Sequence, residues 1–173
     1  IKLLVDWAVA TGMRLIQILP VNDTVAKHTW MDSYPYAAIS VYALHPIYIN
    51  LLEIGKLDSD INQQIIEAQG KYLNSLHRID YEAVMALKSR FFKLIYDQQK
   101  NKFLKDPGFL SFFNDNKHWL RPYAAFSYLR DLFNTPDFSR WGEYSKPTDE
   151  LLEHLTHDGS AHYDDIAVHY FIQ

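Results

Sequence analysis

Cysteine is absent from the 173-residue chain. That excludes disulfide staples, thiolate metal sites and cysteine nucleophiles together, and it suits a reducing compartment, so a cytoplasmic setting is expected. Long apolar runs are missing as well, none nearing the ~20 residues a membrane span requires, so no membrane partner is expected. Basic charge is not in excess: 17 Lys and Arg stand against 21 Asp and Glu, giving a formal charge of -4. Clustered cations are what phosphate backbones select, so nucleic acid is set aside as the main partner. No internal repeat or low-complexity tract interrupts the chain. What is present is an ordinary globular composition, 48% hydrophobic and 22% charged, long enough for one domain that buries roughly two-thirds of its unfolded surface. Less ordinary are the 12 Tyr, 10 Phe and 4 Trp, because many of these rings carry a polar tip that can face water.

Apolar residues recur at helical spacing through Leu3, Leu4, Trp7, Ala8 and Ala10, and Gly12 follows where a left-handed cap belongs. The next run, MRLIQILP, is short, rich in branched apolar residues and closed by Pro20, the pattern of a buried strand in a parallel sheet. From Val21 to His45 no period survives, and so long a loop in a compact domain is usually functional. HPIYIN, His45 to Asn50, alternates like a short strand. Beyond Leu57 the pattern turns helical. Asp58 or Ser59 can cap a helix reaching about Ser75, and Asp80 a stronger one with Val84, Leu87, Phe91, Leu94 and Ile95 on one stripe. Further helices are expected over Gly108 to Asn114, over Trp119 to Phe133, and from Thr148 and Tyr163 onward, punctuated by prolines. Ile1 opens inside one apolar pattern and Gln173 closes inside another, so a piece of a larger chain is expected. The reading is α/β, a fragment of a TIM (β/α)8 barrel with a largely helical insertion, predominantly α by residue count. Residues 1–50 would hold the first strands and an active-site loop, and residues 51–173 the helical subdomain.

The loop contains WMDSYPYAAIS, from Trp30 to Ser40, which crowds three rings, a proline and a carboxylate together. It follows the C-terminal end of the expected strand, the edge of a parallel α/β barrel where ligands gather. Pro35 disfavours helical geometry at Tyr34, so Tyr34 and Tyr36 are expected to project to opposite sides. Sugars present flat C–H faces ringed by hydroxyls; rings for stacking plus Asp32 and Ser33 for hydrogen bonds would suit them. The plainer reading is that Trp30, Tyr34 and Tyr36 cover the core beneath the loop.

LVDWAVATGMRLIQILPVNDT, followed by DSYPYAAISVYALHPIYINL, resembles the start of the catalytic barrel in 4-α-glucanotransferases, the amylomaltase or disproportionating-enzyme family (glycoside hydrolase family 77). Matching in order are the helix with Gly12, the Gln-x-Leu-Pro of Gln17 to Pro20, the serine, proline and tyrosine of the loop, and Pro46. DYEAVMALKSRFF and HWLRPYAAFSYLRD extend the likeness more loosely to the end. The common family form reads Ser-Pro-Tyr-Gln-Ser-Phe-Ser; here Tyr34 intervenes between Ser33 and Pro35, and Ala37, Ala38 and Ile39 replace Gln, Ser and Phe. That departure is similar to the longer subgroup carrying starch-binding modules before its barrel, and it leaves the pairing of Ser33 open. The resemblance implies transfer of α-1,4-glucan segments between maltodextrins by retaining chemistry, with a nucleophilic carboxylate, a second acid, and a sugar hydroxyl in place of water. It places those carboxylates beyond Gln173 and implies no cofactor and no metal. Tyr36 would match the tyrosine under the glucose at the cleavage subsite, and Trp30 an aromatic position near the glucan path. The substrate-binding candidates are therefore Tyr36, Trp30, Asp32 and Ser33, with no catalytic residue in the chain.

Other constellations have plainer readings. Asp23 and Asp32 resemble a local acid pair but match no catalytic motif, and loop aspartates commonly cap turns. His154 with His157, and His162 with Asp165 and His169, could share helix faces, though the spacing matches no established zinc pattern. The rings from Phe103 to Phe126 could line a second glucan groove or simply pack. The alternative function is a non-catalytic carbohydrate-binding module with an aromatic loop. A chain cut from a barrel would also expose apolar surface, so association between copies is expected.

Overall fold

The computed structural model describes residues 2–173; Ile1, in the opening apolar pattern, lies outside them. Among the described residues seven α-helices follow one another: α1 Lys2–Ala10, α2 Leu51–Ile54, α3 Asp60–Ser75, α4 Tyr81–Phe103, α5 Pro107–Phe133, α6 Asp149–Thr156 and α7 Tyr163–Ile172. Short 3-10 turns stand at Trp30–Ser33, Pro46–Tyr48, Phe138–Arg140 and Gly142–Ser145.

The helix boundaries follow local chemistry. Gly12 takes φ +77°, the left-handed geometry expected after α1. Ser59 accepts a hydrogen bond from the backbone N–H of Asn62, Asp80 from Ala83, Asp106 from Phe109 and Thr148 from Leu151. Each satisfies one of the orphan donors of a first turn. The two helices expected between Gly108 and Phe133 are one continuous α5, running through Pro122. The proline removes the donor that the His118 carbonyl would use, yet packing on both sides of α5 holds the helix through that gap. Asn134 stops it in the left-handed region at φ +51°.

The α/β expectation, a fragment of a TIM barrel, is overturned. Among the described residues there is no strand and no sheet, only an isolated antiparallel bridge between Asn22 and Leu44. MRLIQILP forms no regular element, and its side chains are open to solvent, Leu15 at 84% and Leu19 at 59%. The physical reason lies in what a parallel strand needs: hydrogen-bonding neighbours at its edges and cover on both faces. Among the described residues nothing supplies either. HPIYIN likewise forms a 3-10 turn, because Pro46 starts it and the His45 ring caps it.

The core sits between the long helices. α7 packs along α5 and α4, burying Tyr96, Leu120, Ala124, Ile166, Ala167 and Tyr170. Rings interlock there: Phe103 and Phe109 lie 4.1 Å apart, and Phe113 meets Tyr170 edge-on at 5.2 Å. The aromatic series of α4 and α5 is therefore packing in the main. A second cluster joins α3 to α4 through Ile66, Leu87, Phe91, Phe92 and Ile95. Polar ties lie outside the apolar contacts: Lys93 to Asp165 at 3.1 Å, Lys100 to Asp164, and Arg121 to Glu153 at 2.9 Å.

Candidate functional site

Residues 22–45 form a loop laid across α4 and α5, and its fixed points are buried polar groups. Asp23 is almost fully buried; one carboxylate oxygen accepts from the Val25 N–H at 3.0 Å and the other from the Tyr123 hydroxyl at 2.7 Å. Burial, and then the nearby charge of Asp23, push the Tyr123 hydroxyl well above the usual tyrosine range, so it remains a donor. The two legs of the loop are joined where the Asp23 N–H donates to the Ala43 carbonyl at 2.8 Å and the His45 N–H to Val21 at 2.9 Å. His45 is buried, and its Nδ1 accepts from the Ile47 N–H at 3.1 Å. The ring proton therefore sits on Nε2, which donates to the Tyr81 hydroxyl at 3.0 Å. Burial lowers the pKa of this histidine and, with Asp32 and Asp23 nearby, raises that of Tyr81.

The four sequence candidates share one segment but not one exposure. Asp32 is turned inward at 5% exposure, and both of its carboxylate oxygens accept from the Lys27 N–H, at 2.9 and 3.2 Å. Its own carbonyl accepts from the Thr24 hydroxyl. Ser33 is exposed. Trp30 and Tyr36 stand open at 69% and 64%. The Trp30 backbone is held nonetheless, its N–H donating to the Glu82 carboxylate of α4 at 3.0 Å. The expected opposition of Tyr34 and Tyr36 does not occur. Tyr34 is extended, as its proline neighbour requires, but the Ala37 N–H bonds back to its carbonyl at 3.3 Å and closes a turn. That reversal brings the two rings to 5.5 Å, tilted by 60°. Asp23 and Asp32 are each occupied by backbone or hydroxyl donors, the turn-capping arrangement rather than an open acid pair.

Three side chains of α5 support the loop: Tyr123, which the sequence offered only as one ring of the aromatic series, and Arg130 and Asp131, for which it offered no role. The buried Arg130 donates through Nη1 to the Val25 carbonyl at 2.6 Å and through Nε to Asp131 at 2.7 Å. Asp131 also meets His28 Nε2 at 2.7 Å. Burial alone would raise the Asp131 carboxyl, but the hydrogen bonds from His28 and Arg130 outweigh it and hold it well below the ordinary range. Their spacing from Tyr123 puts all three on one side of α5, but their partners lie about a hundred residues away in sequence.

An apolar cavity of about 550 Å³ opens elsewhere, between α5, α6 and the far leg of the loop at Ile39 and Ser40; neither Trp30 nor Tyr36 lines it. The C-terminal histidines are dispersed. His162 pairs with the Tyr128 hydroxyl at 2.8 Å, His157 is exposed, and His169 faces Asp131 and Asp165. Among the described residues no three His, Asp or Glu side chains converge as a metal site.

Residues 1–173 match the sequence model of the 4-alpha-glucanotransferase family. The chain belongs to that family. It is 44% identical over 174 residues to the 4-alpha-glucanotransferase DPE2 of Oryza sativa subsp. japonica, covering 100% of this chain and 18% of the rice protein. A 4-alpha-glucanotransferase of Chlamydia muridarum is 30% identical over 139 residues, 80% of this chain and 25% of that protein. One from Clostridium butyricum is 27% identical over 164 residues, 88% and 31%. The chain thus spans less than a third of the length of these curated relatives. No solved structure matches it. Among the described residues no helix is long and apolar enough to cross a membrane.

Proposed function

We propose that this chain is the part of a 4-alpha-glucanotransferase that supplies glucan contacts, while the carboxylates that break and remake the glycosidic bond are contributed from outside it. The observation that carries the reading is the open ring of Tyr36 in a loop whose backbone is otherwise tied down. A pyranose gains most from a ring face that is already uncovered and already in place, since neither desolvation of a packed side chain nor ordering of a loop then opposes binding. In a member of this family such a ring would serve maltodextrins, the substrates proposed for α-1,4-glucan transfer.

Roles divide along the segment. Tyr36, with Tyr34 beside it, stacks beneath the sugar nearest the bond that breaks; Trp30 guides the glucan further along; Ser33 offers an exposed hydroxyl. Asp32 shapes the loop from within. The chain on its own gives ring faces with few polar partners, so weak glucan affinity accompanies the reading. Glucans are the partner, and a cytoplasmic setting fits the cysteine-free composition.

The full-length protein carrying this segment, incubated with maltotriose, should yield glucose together with longer maltodextrins, read by chromatography. If maltotriose is returned unchanged, or is merely hydrolysed with no longer product, the reading fails.

A further inference from the structure

We propose that Arg130 and Asp131 of α5 act as a clamp that sets the position of the aromatic loop, making them positioning residues for glucan binding; the functional half of this rests on the function proposed for Tyr36 and Trp30. Three observations meet here. Arg130 is only 4% exposed, yet its guanidinium is spent on the Val25 carbonyl and on Asp131, not on a carboxylate of the packed core. A buried arginine is retained only where its donors are matched, and one of its two matches, the Val25 carbonyl, lies on the incoming leg of the loop. Asp131 Oδ1 receives both Arg130 Nε and His28 Nε2, so one carboxylate couples helix and loop. His28 holds φ at +56°, a conformation that side-chain-bearing residues adopt at a cost, and it is this backbone geometry that delivers its ring to Asp131. Two residues further on, the Trp30 N–H is taken by Glu82 of α4. The segment between Val25 and Trp30 is thereby gripped from α5 on one side and α4 on the other, and the Lys27 to Asp32 hydrogen bond passes that grip into the turn where Tyr34 and Tyr36 stand.

Such a clamp acts through placement. Releasing it leaves the rings present but spread over more positions, and the loss appears in substrate binding, because a misplaced contact group is penalised even when its chemistry is intact. Removing Asp131 releases the His28 ring and leaves Arg130, which holds the Val25 carbonyl, without the carboxylate that orients its guanidinium. His28→Gly removes the ring contact alone while relaxing the left-handed backbone, and it leaves α5 untouched.

The test uses Asp131→Ala, Asp131→Asn and His28→Gly in the full-length protein, with two readouts: amide hydrogen exchange across residues 26–36, and steady-state kinetics with maltotriose. Asp131→Ala and His28→Gly should speed exchange in that segment about tenfold, with the amides of α7 unchanged, and raise KM about fivefold while kcat stays within about twofold. Asp131→Asn keeps an oxygen acceptor of the same shape and should recover most of both. Unchanged exchange in folded Asp131→Ala and His28→Gly overturns the clamp. Faster exchange with unaltered KM overturns the role of the clamp in glucan binding, while the assignment of the rings stands or falls separately on Tyr36→Ala. If Asp131→Ala does not fold, His28→Gly decides alone.

Discussion

At the residue scale, Tyr36 and Trp30 are equally open but not equally placed. Tyr36 sits in a closed turn with a second ring 5.5 Å away, whereas Trp30 stands alone on a 3-10 turn. In the full-length protein Tyr36→Ala should therefore cost about 2 kcal/mol in transition-state binding, some thirtyfold in kcat/KM, and Trp30→Ala about fivefold. Equal losses measured on maltotriose would remove the distinction. His169 supplies a pH dependence. Burial depresses it to about 4, while in the unfolded chain it titrates near its ordinary value of about 6.5. Between those values the unfolded state binds a proton that the folded state does not, so stability is fully present above about pH 6.5 and drains as pH falls toward 4. The ring is partly covered rather than sealed, so the contribution is about 1 to 2 kcal/mol, and His169→Gln should flatten that part of a melting-temperature profile. An equally steep profile in the variant would show that other groups carry it. Of the site, the exposed rings were legible because an aperiodic run offers no helix stripe or strand face on which to bury so many of them. Asp32 was legible as a residue but not as an orientation, since a carboxylate beside serine and tyrosine reads the same whether it faces solvent or its own backbone.

At the element scale, caps and stripes carried the helices. Ser59, Asp80 and Thr148 stand where the structure starts α3, α4 and α6, because N-cap chemistry is local and survives any tertiary context. Pro122 misled in the other direction: as a breaker it divides α5, and the packing of α5 against α6 and α7 makes it tolerable. MRLIQILP misled most, since a strand is a property of a pair and branched apolar composition alone supplies no partner. The start of α4 also bears on the site, because Tyr81 meets His45 and Glu82 holds Trp30 within its first turn. Asp80→Ala should thus cost about 1 kcal/mol in urea denaturation and also quicken amide exchange at Trp30. Ser59→Ala, on α3, should cost a similar amount without that second effect. Matching exchange changes in both variants would mean that the α4 cap has no special hold on the loop.

At the scale of the whole molecule, the apolar surface is divided unevenly. The helical body buries its rings and branched side chains between α3, α4, α5 and α7, while α1 and the run after it leave Leu3, Trp7, Val9, Leu15 and Leu19 mostly open. These residues all fall within the first twenty of the chain, so the exposure is concentrated in one segment. Exposed apolar area in water draws in whatever apolar area it can reach, and for the 173-residue chain alone at micromolar concentration the nearest source is another copy. The chain produced by itself should therefore sediment as a concentration-dependent mixture. Its formal charge of -4 is too small to hold copies apart at physiological salt. Replacing two of the most open side chains, Leu15→Lys with Leu19→Lys, removes about 1.5 kcal/mol or more of burial at each position and should weaken association at least tenfold, shifting the sedimentation profile toward monomer. Because neither side chain touches the helical core, the helical signal in circular dichroism and the melting temperature should be unchanged. If the double variant associates as strongly as the parent chain, the contact lies on the helical body instead, and the exposed aromatic loop becomes the surface to alter next.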